Sequence, residues 1–256
     1  MKKSASIVNL LAPSSLVLLL LATWELLVRW QAVPEWILPG PLRIVQTLAD
    51  NGLMMLDHAR ATVIESLVGF SLAIVLALII AFAMNEVTWI RQALYPIIIT
   101  SQTVPIVSLA PLFIIWFGYG VLPKIMVVIL VCFFPIAVSL LNGLASVDSD
   151  YLQLFRSMNA GRWDKFRMVS LPLSLPSFFA GVKISAAYSV MGAVIGEWLG
   201  AKEGLGYYMT LAQHSFQVDR VFAAILLVTV LSMVLFGLVG IIERVVIPWN
   251  SLPGGD

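Results

Sequence analysis

The chain has 256 residues, of which 60% are hydrophobic and 11% are charged, and its formal net charge is +1. Because soluble domains carry about 25% charged residues, this composition indicates a membrane protein. The near-neutral charge excludes the strong basic excess typical of a nucleic-acid-binding protein. The single cysteine, Cys132, lies in an apolar run, which favours a buried small side chain over a disulfide or a metal ligand.

The first apolar segment follows Lys2 and Lys3 and has no convincing cleavage site before Trp24. It therefore predicts a retained membrane helix rather than a cleaved signal peptide. A spanning helix needs about 20 mostly apolar residues. On that criterion we expect an all-α, polytopic membrane protein with about six transmembrane helices, forming a single domain over residues 1–256. The predicted spans are 8–30, 62–85, 92–118, 122–145, 174–198 and 219–246.

Prolines shape two stretches of the chain. A proline-rich run precedes a short apolar stripe at 42–49, which predicts a short interfacial helix separate from the second span. The third span contains Pro96, Pro105 and Pro111. Proline removes a backbone donor, so this span is predicted to be a kinked helix that faces protein rather than lipid.

Residues 146–172, named here the coupling segment, combine positive charge with two apolar stripes. Asp148 and Asp150 are expected to cap a first short helix, and Asn159-Ala160-Gly161 is expected to end it. A second stripe follows, and the Leu-Pro pairs of 171–176 are predicted to stop regular helix before the fifth span. The cations Arg156, Arg162, Lys165 and Arg167 lie here, so the positive-inside rule predicts a cytoplasmic segment and cytoplasmic termini. The stripes favour docking to a protein groove or contact with lipid headgroups about equally.

The sequence RWDKFRMVSLPLSLP in this segment resembles the cytoplasmic "EAA" loop of binding-protein-dependent ABC importer permeases. The head of the motif differs, since Gln153-Leu154-Phe155 replaces Glu-Ala-Ala and Asn159 replaces glycine. LPGPLRIVQTL, QTVPIVSLAPLFIIWFGYG and GAVIGEWLGAKEGLGYYM are similar to the sulfonate, taurine and nitrate branch of these permeases. Within that branch, PLFIIWFGYGVLPK and YSVMGAVIGEWLG most resemble permeases for hydroxymethylpyrimidine-type thiamine precursors.

The resemblance implies a transport subunit of the bacterial cell membrane and not an enzyme. The chain has no G-x-x-x-x-G-K-[ST] motif, and no cofactor is expected on it, so ATP and Mg²⁺ would bind a separate ABC ATPase. The implied partners are that ATPase, an extracytoplasmic substrate-binding protein, membrane lipid and a second permease copy in a homodimer. The implied ATPase-coupling residues are Leu152, Gln153, Phe155, Arg156, Met158, Asn159, Arg162, Trp163 and Phe166.

Polar and aromatic residues within the spans are candidates for the translocation pathway, because each is costly to expose to lipid. A flat pyrimidine would suit stacking on an aromatic ring with hydrogen bonds from an amide or hydroxyl. The same residues could instead join helices together. Glu65 is expected to form a surface ion pair with Arg60 or to be an interfacial anchor, and His58 and His214 are not expected to bind metal. The pathway candidates are Gln102, Thr103, Tyr188, Ser189, Glu197 and Trp198.

Other interpretations remain open at this level. The substrate could be an aliphatic sulfonate, taurine or nitrate, since related permeases share these motifs. An ion-coupled secondary transporter would favour inverted repeats and paired ionisable residues at mid-membrane, and the sequence shows neither. An intramembrane serine protease would need a histidine at the depth of Ser71, and both histidines fall outside the predicted spans.

Overall fold

The structure is a computed structural model that describes residues 2–30 and 33–251. Every regular element in these ranges is helical. Side chains are described at 14–30, 33–148, 150, 151, 153–155 and 157–250. The α-helices are α1 Lys2–Arg29, α2 Pro41–Glu86, α3 Thr88–Ser101, α4 Ile106–Phe117, α5 Val121–Ala145, α6 Ser149–Ser157, α7 Arg162–Lys165, α8 Leu171–Glu197, α9 Leu205–His214 and α10 Val218–Val246. A π-helical turn, Phe166–Ser170, joins α7 to α8, and a 3₁₀ turn, Pro248–Ser251, follows α10.

Within the described ranges, four helices are long and apolar enough to cross a membrane. They are α2, α5, α10 and the stretch Arg162–Glu197, which includes α8. Helices α3 and α4 together form a fifth candidate span that is bent by 105°. The prediction of an all-α polytopic protein is therefore confirmed. The count of six spans stays a prediction, with α1 at the position of the first.

Helix α2 is one continuous helix of 46 residues, Pro41–Glu86. The prediction of a separate interfacial helix at 42–49 was wrong, and the span predicted at 62–85 lies within this longer helix. Pro41 occupies the first helical position, where a missing amide donor costs nothing. No further proline occurs before Pro96, and Gly52 alone is too weak to break a helix. At about 1.5 Å per residue the helix is about 69 Å long, which exceeds the hydrocarbon thickness of about 30 Å.

The third predicted span is broken rather than kinked. Instead of one helix over 92–118, α3 ends at Ser101 and α4 begins at Ile106. Tight turns close α3, because the amide and hydroxyl of Thr103 donate to the carbonyl of Thr100 at 3.0 and 2.7 Å. Pro105 then precedes the first residue of α4 with extended backbone angles. The interruption agrees with the rule that proline and the residue before it leave regular helix.

The prediction that the Leu-Pro pairs stop regular helix was also wrong. Pro172 lies in the first turn of α8, and Pro176 lies inside it. Each proline still removes one backbone donor, and the hydrogen-bond spacing changes to the π-helical pattern just before Pro172, but the helical backbone continues through both prolines. The backbone from Arg162 to Glu197 is thus one apolar stretch of 36 residues.

The described chain groups into two compact units by its backbone contacts. Unit 1 comprises Met1–Ala59 and Tyr208–Leu227, and its core includes Ile44, Met55 and Tyr208. Unit 2 comprises Arg60–Tyr207 and Val228–Asp256. The single domain over 1–256 stays a prediction.

The core of unit 2 is built on close packing of α5 against α8. A methyl group added at Gly181 would lie 2.6 Å from the Pro135 carbonyl oxygen, and one at Gly143 would lie 2.7 Å from Ser177 Cβ. Such small residues let two helix backbones approach closely, as membrane helices commonly do. Cys132 is buried at this interface, as the sequence predicted, and its carbonyl accepts a hydrogen bond from the Ser185 hydroxyl at 2.8 Å.

Candidate functional site

Helix α6 presents an exposed apolar stripe at the start of the coupling segment. The side chains of Tyr151, Leu154 and Met158 are each more than half exposed. Their spacing of three and four residues places them on one helix face. Such a stripe on a short helix is typical of a surface that docks into a groove. Leu154 was absent from the sequence prediction, which assigned the stripe to Tyr151, Leu152, Phe155 and Met158.

The ends of α6 are built as the sequence predicted. Asp148 Oδ1 accepts a hydrogen bond from the Asp150 amide at 2.9 Å, which satisfies a donor at the helix start. At the other end Asn159 has a φ of 58°, in the left-handed region. Asparagine tolerates this conformation better than most residues, so it can replace the glycine of the family motif. The predicted break at Asn159-Ala160-Gly161 is confirmed.

The second half of the coupling segment packs within the chain. Trp163 and Phe166 stack with ring centroids 5.8 Å apart, and both contact Phe82 near the end of α2. Phe166 is half-buried, whereas one face of Trp163 remains exposed. Among the other predicted coupling residues, Phe155 is half-buried. Gln153, Asn159 and Arg162 are exposed, and the side chains of Leu152 and Arg156 lie outside the described residues.

A cleft of about 280 Å³ opens beside the break between α3 and α4. Gln102, from the break itself, and Tyr188, from α8, both line it. Its other walls are largely apolar and include Phe134 and Met191. We name this space the central cleft. A mostly apolar cleft with a few polar groups is the usual form of a small-molecule site.

The remaining pathway candidates lie elsewhere. Thr103 lines a separate cleft along α3 and the break, and its hydroxyl is engaged by the Thr100 carbonyl. Ser189 is buried and donates to the carbonyl of Ala186 at 2.8 Å. Trp198 is about half exposed at the end of α8. Glu197 is 1% exposed and accepts a hydrogen bond from Thr62.

Buried charges in unit 2 were missed by the sequence analysis. Glu65 was expected at the surface, but it is 2% exposed and forms an ion pair with Lys124 of α5. The expectation rested on the position of Glu65 at the start of an apolar run, where a charged residue often marks the membrane surface. It was wrong because Lys124 provides a buried positive charge with which Glu65 can pair. Lys124 separates two charge-free runs of the sequence. An isolated lysine between apolar segments could have signalled a buried partner.

Within the described residues, no group of three or more histidine, cysteine, aspartate or glutamate side chains is arranged to hold a metal ion. His58 instead packs against the ring of Tyr208, with centroids 5.5 Å apart.

Comparison with known proteins decides the family. Residues 69–247 match the family described as binding-protein-dependent transport system inner membrane component. The chain belongs to this family. The match includes the coupling segment, the central cleft and the helices that carry them. The chain is therefore a membrane transport subunit, the permease of an ABC importer, and not an enzyme.

Curated relatives agree across nearly the full length. The chain is 36% identical to the formylaminopyrimidine transport permease protein ThiX of Halalkalibacterium halodurans, over 94% of this chain and 96% of that protein. It is 33% identical to the riboflavin transport system permease protein RibX of Chloroflexus aurantiacus, over 91% and 88%. It is 29% identical to the putative aliphatic sulfonates transport permease protein SsuC of Bacillus subtilis, over 92% and 86%. The resemblance to the sulfonate branch and to thiamine-precursor permeases is thus confirmed.

A solved structure shares the fold. An inward-facing MetNI methionine ABC transporter chain superposes with a TM-score of 0.56, at 18% identity, over 79% of this chain and 94% of that chain. The expected ABC permease fold is confirmed at the level of architecture.

Proposed function

We propose that this permease imports a small heteroaromatic solute, a pyrimidine precursor of thiamine, through the central cleft. The observation that carries the proposal is that Gln102 and Tyr188, from separate helices, line one largely apolar cleft. An amide offers both a donor and an acceptor to a heterocycle edge, and an aromatic ring offers a stacking face. The likeness to ThiX, whose name specifies formylaminopyrimidine, supports the same class of cargo.

The other four predicted pathway residues are not among the cargo contacts that we propose. Thr103 lies beside Gln102 at the helix break, and Trp198 lies exposed at the end of α8. Ser189 and Glu197 are buried and hydrogen-bonded, so we assign them to holding helices in position rather than to contact with the cargo. The cargo contacts we propose are therefore Gln102 and Tyr188.

Energy for transport would come from ATP and Mg²⁺ bound to a separate ATPase that docks on the coupling segment. The exposed stripe of Tyr151, Leu154 and Met158 supports this docking surface. We include the predicted residues Gln153, Asn159 and Arg162 because their side chains are exposed beside it. A substrate-binding protein would deliver the cargo from the other side of the membrane. Two permease copies surrounded by lipid, with cytoplasmic termini, would complete the pathway.

Uptake into proteoliposomes tests which solute the importer carries. The permease is reconstituted with its ATPase and binding protein, and ATP-driven uptake is measured for a formylaminopyrimidine, hydroxymethylpyrimidine, riboflavin, an aliphatic sulfonate, taurine and nitrate. We expect saturable uptake of the pyrimidines, with Tyr188→Ala raising the KM. Preferential uptake of the sulfonate, taurine, nitrate or riboflavin would overturn the pyrimidine assignment and leave the importer function in place.

A further inference from the structure

Three helices of unit 2 bring buried polar side chains together at one point. Thr62 and Glu65 come from α2, Lys124 from α5 and Glu197 from the end of α8. Each of the four is at most 6% exposed. Buried charges are costly unless they are paired and hydrogen-bonded, so such a cluster needs a physical explanation. We call these four residues the latch.

The latch holds the first backbone amides of α9. The Gly206 amide donates to Glu197 Oε2 at 2.6 Å, and the Leu205 amide donates to Thr62 Oγ1 at 2.9 Å. Thr62 Oγ1 in turn donates to Glu197 Oε1 at 2.7 Å. The first amides of a helix have no partner within it, and a carboxylate there complements the positive end of the helix dipole. Thr62 thus satisfies the Leu205 amide, and Glu197 satisfies the Gly206 amide and complements the helix dipole.

Glycines shape the backbone around Glu197. Gly204 has a φ of 116°, in the region that side chains disfavour, and an added methyl group would collide with the Glu197 carboxylate. A methyl group at Gly206 would lie 2.5 Å from the carbonyl oxygen of Val194. A methyl group at Gly196 would lie 3.0 Å from Lys124 Cα, where α8 crosses α5. The backbone at Gly204 and Gly206 therefore lies too close to α8 to accommodate a larger side chain.

The ion pair of Lys124 with Glu65 helps to stabilise the buried carboxylate of Glu197 in its apolar surroundings. Lys124 bonds Glu65 Oε1, and its backbone lies against Gly196, the residue before Glu197. Electrostatic attraction from Lys124 acts on both carboxylates and offsets their mutual repulsion. Removing Lys124 would leave two buried acids facing each other.

The segment that the latch holds also forms one wall of a cleft. This cleft, of about 300 Å³, is lined by Tyr119 and Lys124 on one side and by residues 200–203 on the other. A methyl group at Gly200, whose φ is 131°, would lie 2.7 Å from the Tyr119 ring. The loop that contains Tyr119, between α4 and α5, is thus in close contact with residues 200–203 beside the latch. The position of residues 200–203 depends on how the next residues are anchored.

We propose that Glu197 is a positioning residue. Acting through Thr62 and Gly206, it anchors residues 200–206 on α2 and α8 and gives the adjoining cleft a fixed shape. In the importer proposed above, this anchored segment forms a rigid wall at the extracytoplasmic end of the bundle, and transport requires it. The anchoring itself does not depend on which solute is carried.

Hydrogen exchange on the full-length permease in nanodiscs tests the anchoring directly. Exchange at residue resolution is followed for the amides of Leu205 and Gly206. Thr62→Val removes the acceptor of the Leu205 amide and the donor to Glu197 Oε1, but it leaves the acceptor of the Gly206 amide, Glu197 Oε2, in place. The Leu205 amide should therefore exchange on the order of tenfold faster, and the Gly206 amide should be accelerated less. Glu197→Ala should accelerate both amides. Thr62→Ser, which keeps the hydroxyl, should restore protection of Leu205.

Ser66→Ala is the matched control for these variants. Ser66 is a buried hydroxyl one turn from Thr62 on α2, and it donates to the Thr62 carbonyl at 2.7 Å. Its loss should leave both amides of α9 protected. Unchanged exchange in Glu197→Ala would overturn the proposal. Equal acceleration of all amides in α8 and α9 by Thr62→Val would show a general loss of stability and would overturn it as well.

ATP-driven uptake supplies the functional readout. With the wild-type importer active, Thr62→Val and Glu197→Ala should lower the maximal uptake rate severalfold at unchanged KM, and Thr62→Ser should restore it. Wild-type rates in both variants would overturn the requirement for anchoring. A wild-type complex inactive with every solute would count against the proposed function, whereas the exchange pattern would still decide the anchoring.

Discussion

The ring of Phe166 meets the ring of Phe82 edge to face, with centroids 5.1 Å apart. Trp163 stacks on Phe166 and meets Phe82 edge to face, with its centroid 6.3 Å from that of Phe82. The coupling segment therefore has two different surfaces. Its aromatic second half packs on α2 of the same chain, and its first half exposes the apolar face of α6.

Replacing Phe82 with alanine should loosen the coupling segment without removing a docking residue. Edge-to-face aromatic pairs contribute about 0.5–1.5 kcal/mol beyond their buried area. We expect the ATPase to remain bound while solute transported per ATP hydrolysed falls severalfold. Parallel assays of hydrolysis and uptake in proteoliposomes measure this ratio. Trp89→Ala, at an exposed aromatic at the start of α3, is the control and should leave the ratio unchanged.

A charge on the exposed face of α6 should release the ATPase. Leu154→Asp puts a carboxylate into the proposed apolar contact, where desolvation without a partner is unfavourable. We expect recovery of the ATPase with affinity-purified permease to fall at least about tenfold, the factor that corresponds to about 1.4 kcal/mol of binding free energy. Leu122→Asp, at a comparably exposed leucine in the first turn of α5, should leave recovery intact. Normal recovery with Leu154→Asp would refute docking through this face.

Changes at Tyr188 should separate stacking from hydrogen bonding. If the ring stacks on the cargo, Tyr188→Phe keeps most of the affinity, and Tyr188→Ala raises the KM of uptake on the order of tenfold. Ile184→Ala is a suitable control, because Ile184 is about equally exposed one turn earlier on α8 and is not among the residues lining the central cleft. Equal KM values for Tyr188→Ala and wild type would exclude Tyr188 from cargo binding.

Lys183 and Glu243 form a partly buried ion pair between α8 and α10, with Nζ 2.5 Å from Oε2. Glu243→Gln leaves the lysine without its charged partner and should lower stability by about 1–2 kcal/mol. The midpoint of thermal unfolding in detergent measures this loss. Exchanging the two residues, Lys183→Glu with Glu243→Lys, should recover part of it. Equal midpoints for the single variant and the wild type would mean that the pair does not stabilise the bundle.

Local features of the coupling segment could be predicted because their causes are local. Asp148 caps α6 through a contact two residues away, and Asn159 ends it through its own backbone conformation. The apolar runs likewise identify the membrane helices, since hydropathy depends only on neighbouring residues. These features need no information about the tertiary fold.

The buried ion pair could not be predicted in the same way. Glu65 and Lys124 are 59 residues apart in sequence, and no periodic pattern connects them. The length of α2 was missed for a related reason. The sequence changes from polar to apolar near residue 60, which suggests that a new helix begins there. Backbone hydrogen bonds do not depend on hydropathy, so one helix continues through this change.

Phe82 and Thr62 belong to the same uninterrupted helix, about 30 Å apart along its axis at about 1.5 Å per residue. One contacts the aromatic pair of the coupling segment, and the other contacts Glu197. A displacement of Phe82 would therefore move Thr62 as well, because the helix between them moves as one rigid body and contains no hinge or loop. Mechanical communication between the coupling segment and the first turn of α9 would then need no chain of intermediate side chains.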